Sequence, residues 1–379
     1  MIIKSFLHWV QYAPSGSRAQ AAGALARAFL YSDLDGSERE EAEAALTFLL
    51  DDHDVAVRVA LAEVFGAVWV VPAHILSALL VDEDEVALPL LSGFTTIPEG
   101  ELVDLVATGS ADRCVAVASR AEISVSLSAA ICEVACEEAC VALLANNTAQ
   151  ITSSSMERIV GRFGGSRDVK DALMSRDDVP LQTRHMMLRR YTESLRDHPQ
   201  VLGARNMRAP EQLVADAQDR STISLAWSAS DRELPGLVEH LVVSAQMTSV
   251  LLLRAAVTGC FNLLTSSLAR LSEYDQEQVF DALASPFGAV LPRILSAAGL
   301  PVRTHALFQE CIASWQRVET MEIDHWSKSR LVVADLIALE DDLGIEDLGD
   351  LQDLLHRLSN EAARESARTR VALMMSDVA

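Results

Sequence analysis

The stretch EREEAEAALTFLLDDHDVAVRVALAEVFGAV, residues 38–68, decides the fold class. Its first part begins acidic and ends apolar, and acidic side chains in a first turn suit the positive end of a helix dipole. Asp51-Asp52-His53-Asp54 then interrupts. Asp54 is placed to cap a following helix on which Val57, Leu61, Val64 and Phe65 share a face. The unit reads as helix, acidic turn, helix.

The unit recurs outward from there. HILSALLV (74–81) and EVALPLL (85–91) flank Asp82-Glu83-Asp84. ELVDLVA (101–107) and RCVAVASRA (113–121) flank a break at 110–112. An apolar run over 123–135 and ACVALLA (139–145) flank Glu137-Glu138. The period is roughly 25–30 residues, the scale of helical repeat arrays. One such hairpin cannot bury its own face, so the hairpins must stack. Pro89 requires that its helix start near Val86 or bend.

Composition agrees. Of 379 residues half are hydrophobic but only 5% aromatic, so the core is mostly Ala, Leu and Val. These pack helix on helix and have little preference for strands. A net charge of -23 argues against coating nucleic acid or an anionic membrane and fits basic or neutral partners. Six cysteines with no C-x-x-C pair do not make a disulfide scaffold. The first residues lack a signal-peptide pattern, and no run nears ~20 apolar residues, so no membrane span and a cytoplasmic location are expected.

The expected fold is all-α. A HEAT-like α-solenoid of short helix pairs fills 1–155, a basic helical segment and connector 156–235, and a C-terminal helical bundle or continued array 236–379. In the middle segment arginines outnumber acids, among them Arg158, Arg162, Arg176, Arg205 and Arg208. A helix is expected over 181–195 and a short one over 211–219. Further on, helices are expected over 237–243, 248–271 (one long element carrying Arg254), 275–283, 291–298, 304–318, 328–338 and 347–374. Gly299-Leu300-Pro301 supplies a stop.

Three runs resemble a known family: DEDEVALPLL (82–91), ADRCVAVASRAEISVSLSAAI (111–131) and ALLANNTAQI (142–151). They resemble elements of the bacterial domain of unknown function 2336, here carried by Val86, Ala87, Pro89 and Leu91, by Ala118, Arg120, Ile123, Ser124, Ser126 and Ile131, and by Leu144, Asn147, Ala149 and Ile151. The stretches 176–188 and 254–272 are similar to later family segments. The resemblance covers most of 51–301, with Cys136-Glu137-Glu138 replacing a usual polar loop. It implies HEAT-like repeats and an interaction role, and supplies no catalytic residues.

Candidate chemistry is sparse. Cys132, Cys136 and Cys140 line one helical face, but three ligands spread over about 12 Å of helix cannot share one Zn²⁺, and a core role is favoured. Gly161-Arg162-Phe163-Gly164 matches the G-x-x-G of nucleic-acid clamps, yet no strands accompany it, so a simple turn is favoured. The acidic turns lack the Gly and late Glu of a Ca²⁺ loop and are read as caps. Arg254 reads as a snorkelling or paired residue. Arg184, His185, Arg189 and Arg190 form the candidate interaction patch, suited to an acidic segment, a phosphate or a nucleotide. No catalytic, cofactor or metal set is found. The expected function is a protein-interaction scaffold or regulatory adaptor, with an unidentified protein partner and no catalysis. The alternative is a sensor of a nucleotide or other phosphorylated ligand through the basic middle segment.

Overall fold

A computed structural model describes residues 2–93, 96–197, 210–343 and 349–376. Arg205, Arg208 and Asp347 lie outside these residues. The described residues are all-helical, as expected, and contain no strand. The chain divides into two compact units, Met1–Val179 and Pro180–Ala379, with the junction inside the arginine-rich stretch.

The first unit holds α1 (Ile2–Val10), α2 (Ser15–Tyr31), α3 (Gly36–Leu50), α4 (Val55–Gly66), α5 (Ala73–Leu80), α6 (Asp84–Leu91), α7 (Glu99–Thr108), α8 (Ala111–Ala118), α9 (Val125–Val134), α10 (Glu137–Ala145), α11 (Ser153–Phe163) and α12 (Arg167–Met174). Their starts are written in the sequence. Asp35 and Glu38 form a reciprocal capping box on α3, and Asp54 accepts from the Ala56 amide at 3.0 Å. Ser110, Ser124, Thr152 and Ser166 cap α8, α9, α11 and α12 the same way. Val57, Leu61 and Phe65 are fully buried.

Each even-numbered helix from α2 to α12 packs on the next even-numbered one. The odd ones form a second row, α1 on α3 on α5 and α7 on α9 on α11. Pro89 lies inside α6 rather than at its start, so α6 is the helix whose interior the proline enters. The Pro89 carbonyl comes so close to α4 that a Cβ on Gly66 would stand 2.5 Å from it. Only glycine permits that approach.

The acidic turns do more than cap. Arginines reach across one period, forward or back along the chain, to tie successive layers. Arg18 pairs with Asp52 at 2.7 Å, and Arg58 with Asp82 at 2.6 Å. Arg113 pairs with Asp84 at 2.5 Å and donates to the Leu80 and Asp82 carbonyls. Arg120 donates to the Leu91 carbonyl at 2.7 Å, and Arg162 to those of Cys132 and Ala135 at 2.7 and 2.6 Å. Arg176 donates to those of Leu144 and Asn146 at 3.1 and 2.9 Å. The carbonyls at helix ends have no partner within their own helix, so a guanidinium from the next layer satisfies them. Asn146 bridges likewise to the Ala118 and Arg120 carbonyls. It is Asn146, not the Asn147 matched to the family element, that makes this link.

Arg176 is the most enclosed of these arginines, its side chain only 5% exposed. Arg176→Met keeps the apolar stem but removes the donor to the Leu144 carbonyl and one of the two donors to the Asn146 carbonyl, which also accepts from the Ala149 amide. It is expected to cost about 1–3 kcal/mol, read as a lower urea midpoint. An unchanged midpoint would show that the layers hold without the tie.

The second unit holds α13 (Leu181–Ser194), a 3-10 turn (Leu195–Asp197), α14 (Pro210–Ser228), α15 (Leu234–Val243), α16 (Ser249–Val257), α17 (Phe261–Ser272), α18 (Gln276–Ala284), α19 (Val290–Ala297), α20 (Val302–Val318), α21 (His325–Leu343) and α22 (Gly349–Ser376). Two predictions need correction here. The helix expected over 211–219 continues to Ser228, because Ser221 and Thr222 bond back to the carbonyls of Ala217 and Gln218 instead of ending the helix. The single helix expected over 248–271 is two, broken at Gly259. Gly259 has φ +74°, and the amides of Cys260 and Gly259 bond to the carbonyls of Ala255 and Ala256 at 2.8 and 3.1 Å. That is a left-handed helix stop of the Schellman type. Gly299 ends α19 in the same way, as expected from the sequence.

One apolar cluster joins α16 to α22 through Leu253, Leu264, Leu295, Phe308, Val333 and Leu355. A second joins α13 to α17 through Leu181, Ile223, Leu237 and Leu263. Together they position the C-terminal end of α16.

Candidate functional site

The end of α16 is held by three side chains from α20 and α21. Trp315 Nε1 donates to the Ala256 carbonyl at 2.9 Å, Ser329 Oγ to Val257 at 2.9 Å, and His325 Nε2 to Thr258 at 2.7 Å. Three successive carbonyls thus find donors from other helices. A Cβ on Gly259 would stand 2.9 Å from the Trp315 ring and 3.1 Å from His325. Gly259 therefore serves both the turn and the rings.

The rings form a cluster. His325 stacks on Trp315 at 5.1 Å and meets Trp227 of α14 edge-on at 4.8 Å. Phe261 of α17 meets Trp315 edge-on at 6.1 Å. Because Nε2 carries the proton given to Thr258, Nδ1 of His325 keeps its lone pair. Burial lowers the imidazole's pKa below its usual value, so the ring stays neutral at pH 7.

On one side of the cluster lies a cleft of about 460 Å³. Trp227, Phe261, Phe280 and Trp315 form its aromatic wall, and Glu319 and Lys328 stand at its polar edge. Phe280 is 67% exposed and Trp227 48%, so two large rings face solvent. Trp227 and His325 also line a second hollow of about 520 Å³, with Trp326, Arg220, Arg254, Glu361 and Glu365.

Arg254 forms the floor of that second hollow. Its side chain is 1% exposed, which corrects the snorkelling reading and keeps the paired one. Nη2 pairs with Asp216 at 2.7 Å and Nη1 with Glu361 at 2.5 Å, and Nε lies 3.9 Å from Asp219. Arg357 adds an ion pair, its Nε 3.1 Å from Asp216. Burial pushes the Asp219 carboxyl up to about 6, against the pull of Arg254 and with the push of Asp216 and Glu361. Three helices, α14, α16 and α22, are joined by this network.

The residues singled out from sequence fall elsewhere. His185 is buried, its Nε2 3.0 Å from the Thr222 hydroxyl and its ring edge-on to His240 at 5.3 Å. Arg189 pairs with Glu193 at 3.2 Å, Arg190 is exposed, and Arg184 is half-buried. Arg189 and Arg190 line a separate hollow with Met186, Glu193, His240 and Gln246, which Arg184 and His185 do not line. Cys132 and Cys140 lie in the core, and burial pushes their thiols up to about 12 and about 11, away from the thiolate a metal requires. Gly161 sits within α11, and Gly164 caps its end. No group of three or more His, Cys, Asp or Glu side chains is placed to hold a metal ion among the described residues. No helix among them is long and apolar enough to cross a membrane.

Sequence reasoning missed Trp227, Trp315 and His325. A glycine inside an apolar run was the available signal, since Gly259 marks where backbone and rings meet. No curated protein matches the chain, and no solved structure matches it. The family described as an uncharacterised protein conserved in bacteria (DUF2336) matches residues 86–337, from the valine of the first resembling run to a point within α21, and the chain belongs to that family.

Proposed function

We propose that the protein is a non-catalytic interaction adaptor of the bacterial cytoplasm that seats an apolar anchor of a basic partner in the aromatic cleft. The observation that carries this reading is the pair of exposed rings, Phe280 and Trp227, over a cleft whose deeper wall is Trp315. Large aromatic rings left facing water at a concave site are typical of binding hot spots. His325 is neutral and committed to the Thr258 carbonyl, a positioning role rather than a proton-transfer role. The net charge of -23 favours a basic partner.

The first unit fits the same reading as a HEAT-like α-solenoid. Support comes from the packing of every second helix on the next, and from arginine ties that span 24 to 34 residues of sequence. Stacked helix pairs of this kind offer extended surfaces for a second contact with the partner.

The test is selection of peptides from a random library on the purified full chain. Recovered binders should share an aromatic or long aliphatic anchor flanked by Lys or Arg. Phe280→Asp should abolish their binding with no change in melting temperature, because position 280 is exposed. Val302→Asp, at another exposed apolar position, should leave it intact. Binders with no common anchor, or binders indifferent to Phe280→Asp, would remove the cleft from the function.

A further inference from the structure

We propose that the hollow between α13 and α15 binds a small phosphate monoester, of mononucleotide size or smaller, that also carries a hydroxyl or amino group. The site is independent of the aromatic cleft.

The hollow has a volume of about 350 Å³, near the lower bound of small-molecule sites. Arg189 and Arg190 both line it from α13, and His240 and Gln246 line it from α15 and the turn that follows. Consecutive helix positions point about 100° apart, so two neighbouring arginines need not share a target. Here they do. Arg189 is held at its Nε by Glu193, and its two terminal nitrogens have no hydrogen bond among the described residues. Arg190 has no ion pair among the described residues and is exposed. Two planar guanidiniums in one hollow match the oxygens of a phosphoryl group, which each can grip with two parallel bonds.

The other members select the rest of the ligand. Glu193 is an acceptor that opposes a bare anion. Gln246 Oε1 is buried and accepts no hydrogen bond among the described residues. Turning the amide over would leave a donor there in its place, but the neighbouring Glu193 favours a ligand that brings hydrogens. A hydroxyl or amine on the ligand answers both acceptors, which inorganic phosphate does less well.

The backbone beside Gln246 is unusual. Ala245 has φ +55°, and the amides of Gln246 and Ala245 bond to the carbonyls of Leu241 and Val242 at 2.8 and 3.1 Å. This is the same helix stop that Gly259 and Gly299 make, but with a side chain where glycine is at ease. The strained stop directs Gln246 into the hollow, and strain of this kind collects at ligand sites.

The test is calorimetric titration of the full chain with adenosine monophosphate, phosphoserine and inorganic phosphate at one ionic strength. At least one monoester should bind saturably and more tightly than inorganic phosphate. Arg190→Gln should weaken that binding about tenfold or more with an unchanged melting temperature. Glu193→Gln should narrow the preference for the monoester by improving inorganic phosphate. Arg158→Gln, at an exposed arginine of the first unit, should have no effect. No saturable binding by any of the three, or binding equal in Arg190→Gln and the parent, overturns the site. Inorganic phosphate binding as tightly as both monoesters overturns the monoester assignment. Phe280→Asp should leave the titration unchanged, so failure of this site and failure of the cleft are separable.

Discussion

Gly259→Val is expected to lower the stability of the second unit by about 2–5 kcal/mol, the sum of two penalties. A side chain in the left-handed region costs about 1–2 kcal/mol. Overpacking against rigid neighbours adds about 1–3 kcal/mol. The neighbours here cannot yield cheaply, because Trp315 and His325 are each fixed by a hydrogen bond to the α16 end and stacked on one another. The Cβ alone would stand 2.9 Å from Trp315, and a branched side chain adds to that. Urea unfolding followed by tryptophan fluorescence checks this, since Trp227 and Trp315 belong to the same cluster. A midpoint unchanged by Gly259→Val would mean that the rings are not packed on the turn. The control is Gly100→Ala, where a Cβ meets nothing within 4 Å.

Arg254→Met should cost about 3–5 kcal/mol, the range for removing one partner of a buried ion pair. Methionine fills the stem volume but leaves Asp216, Asp219 and Glu361 facing one another with reduced compensation. Arg357 remains near Asp216, which keeps the loss from being larger. The pH dependence gives a second readout. Asp219 already has a folded pKa of about 6, above its ordinary value. Its contribution to stability is fully present below the unfolded pKa and is lost as pH rises through the folded one, so the parent protein should lose stability from about pH 4 to about pH 6. Arg254→Met removes the charge that pulls the Asp219 pKa down, so that pKa rises further, and the variant should lie closest to the parent near pH 4 and furthest from it at pH 7. Asp219→Asn should flatten the parent's slope in that window. Urea midpoints at several pH values measure all three.

What the sequence made legible was local. The helix starts over 38–68 were visible because acidic side chains open the first helix and Asp54 caps the second, by rules that act within one turn; the capping box of Asp35 with Glu38 was not read from the sequence. The stop at Gly299 was visible because Gly and Pro follow an apolar run. Two other features depended on partners far along the chain. The acidic turns read as caps, yet Asp52, Asp82 and Asp84 also receive arginines from other layers, and only the fold brings those side chains together. Arg254 stood out as a charge in an apolar run, but its partners lie 38 and 107 residues away. The break at Gly259 was hidden because leucines on both sides continue the apolar pattern. The basic cluster of α13 divides for a reason of helix geometry. His185 faces inward to Thr222, while Arg189 and Arg190 face the hollow beside His240. Nothing in the local sequence marks Trp227, Trp315 and His325 as neighbours, since they come from α14, α20 and α21.

The proposal of an interaction adaptor is tested most directly by photo-crosslinking in living bacteria, with a benzophenone side chain at position 280 and, as control, at position 302. Position 280 should give a discrete adduct with one protein, identified by mass spectrometry as a segment with an apolar anchor among basic residues. Position 302 should give none. A small-molecule adduct at 280, no adduct there, or the same adducts at both positions would contradict a protein-docking cleft.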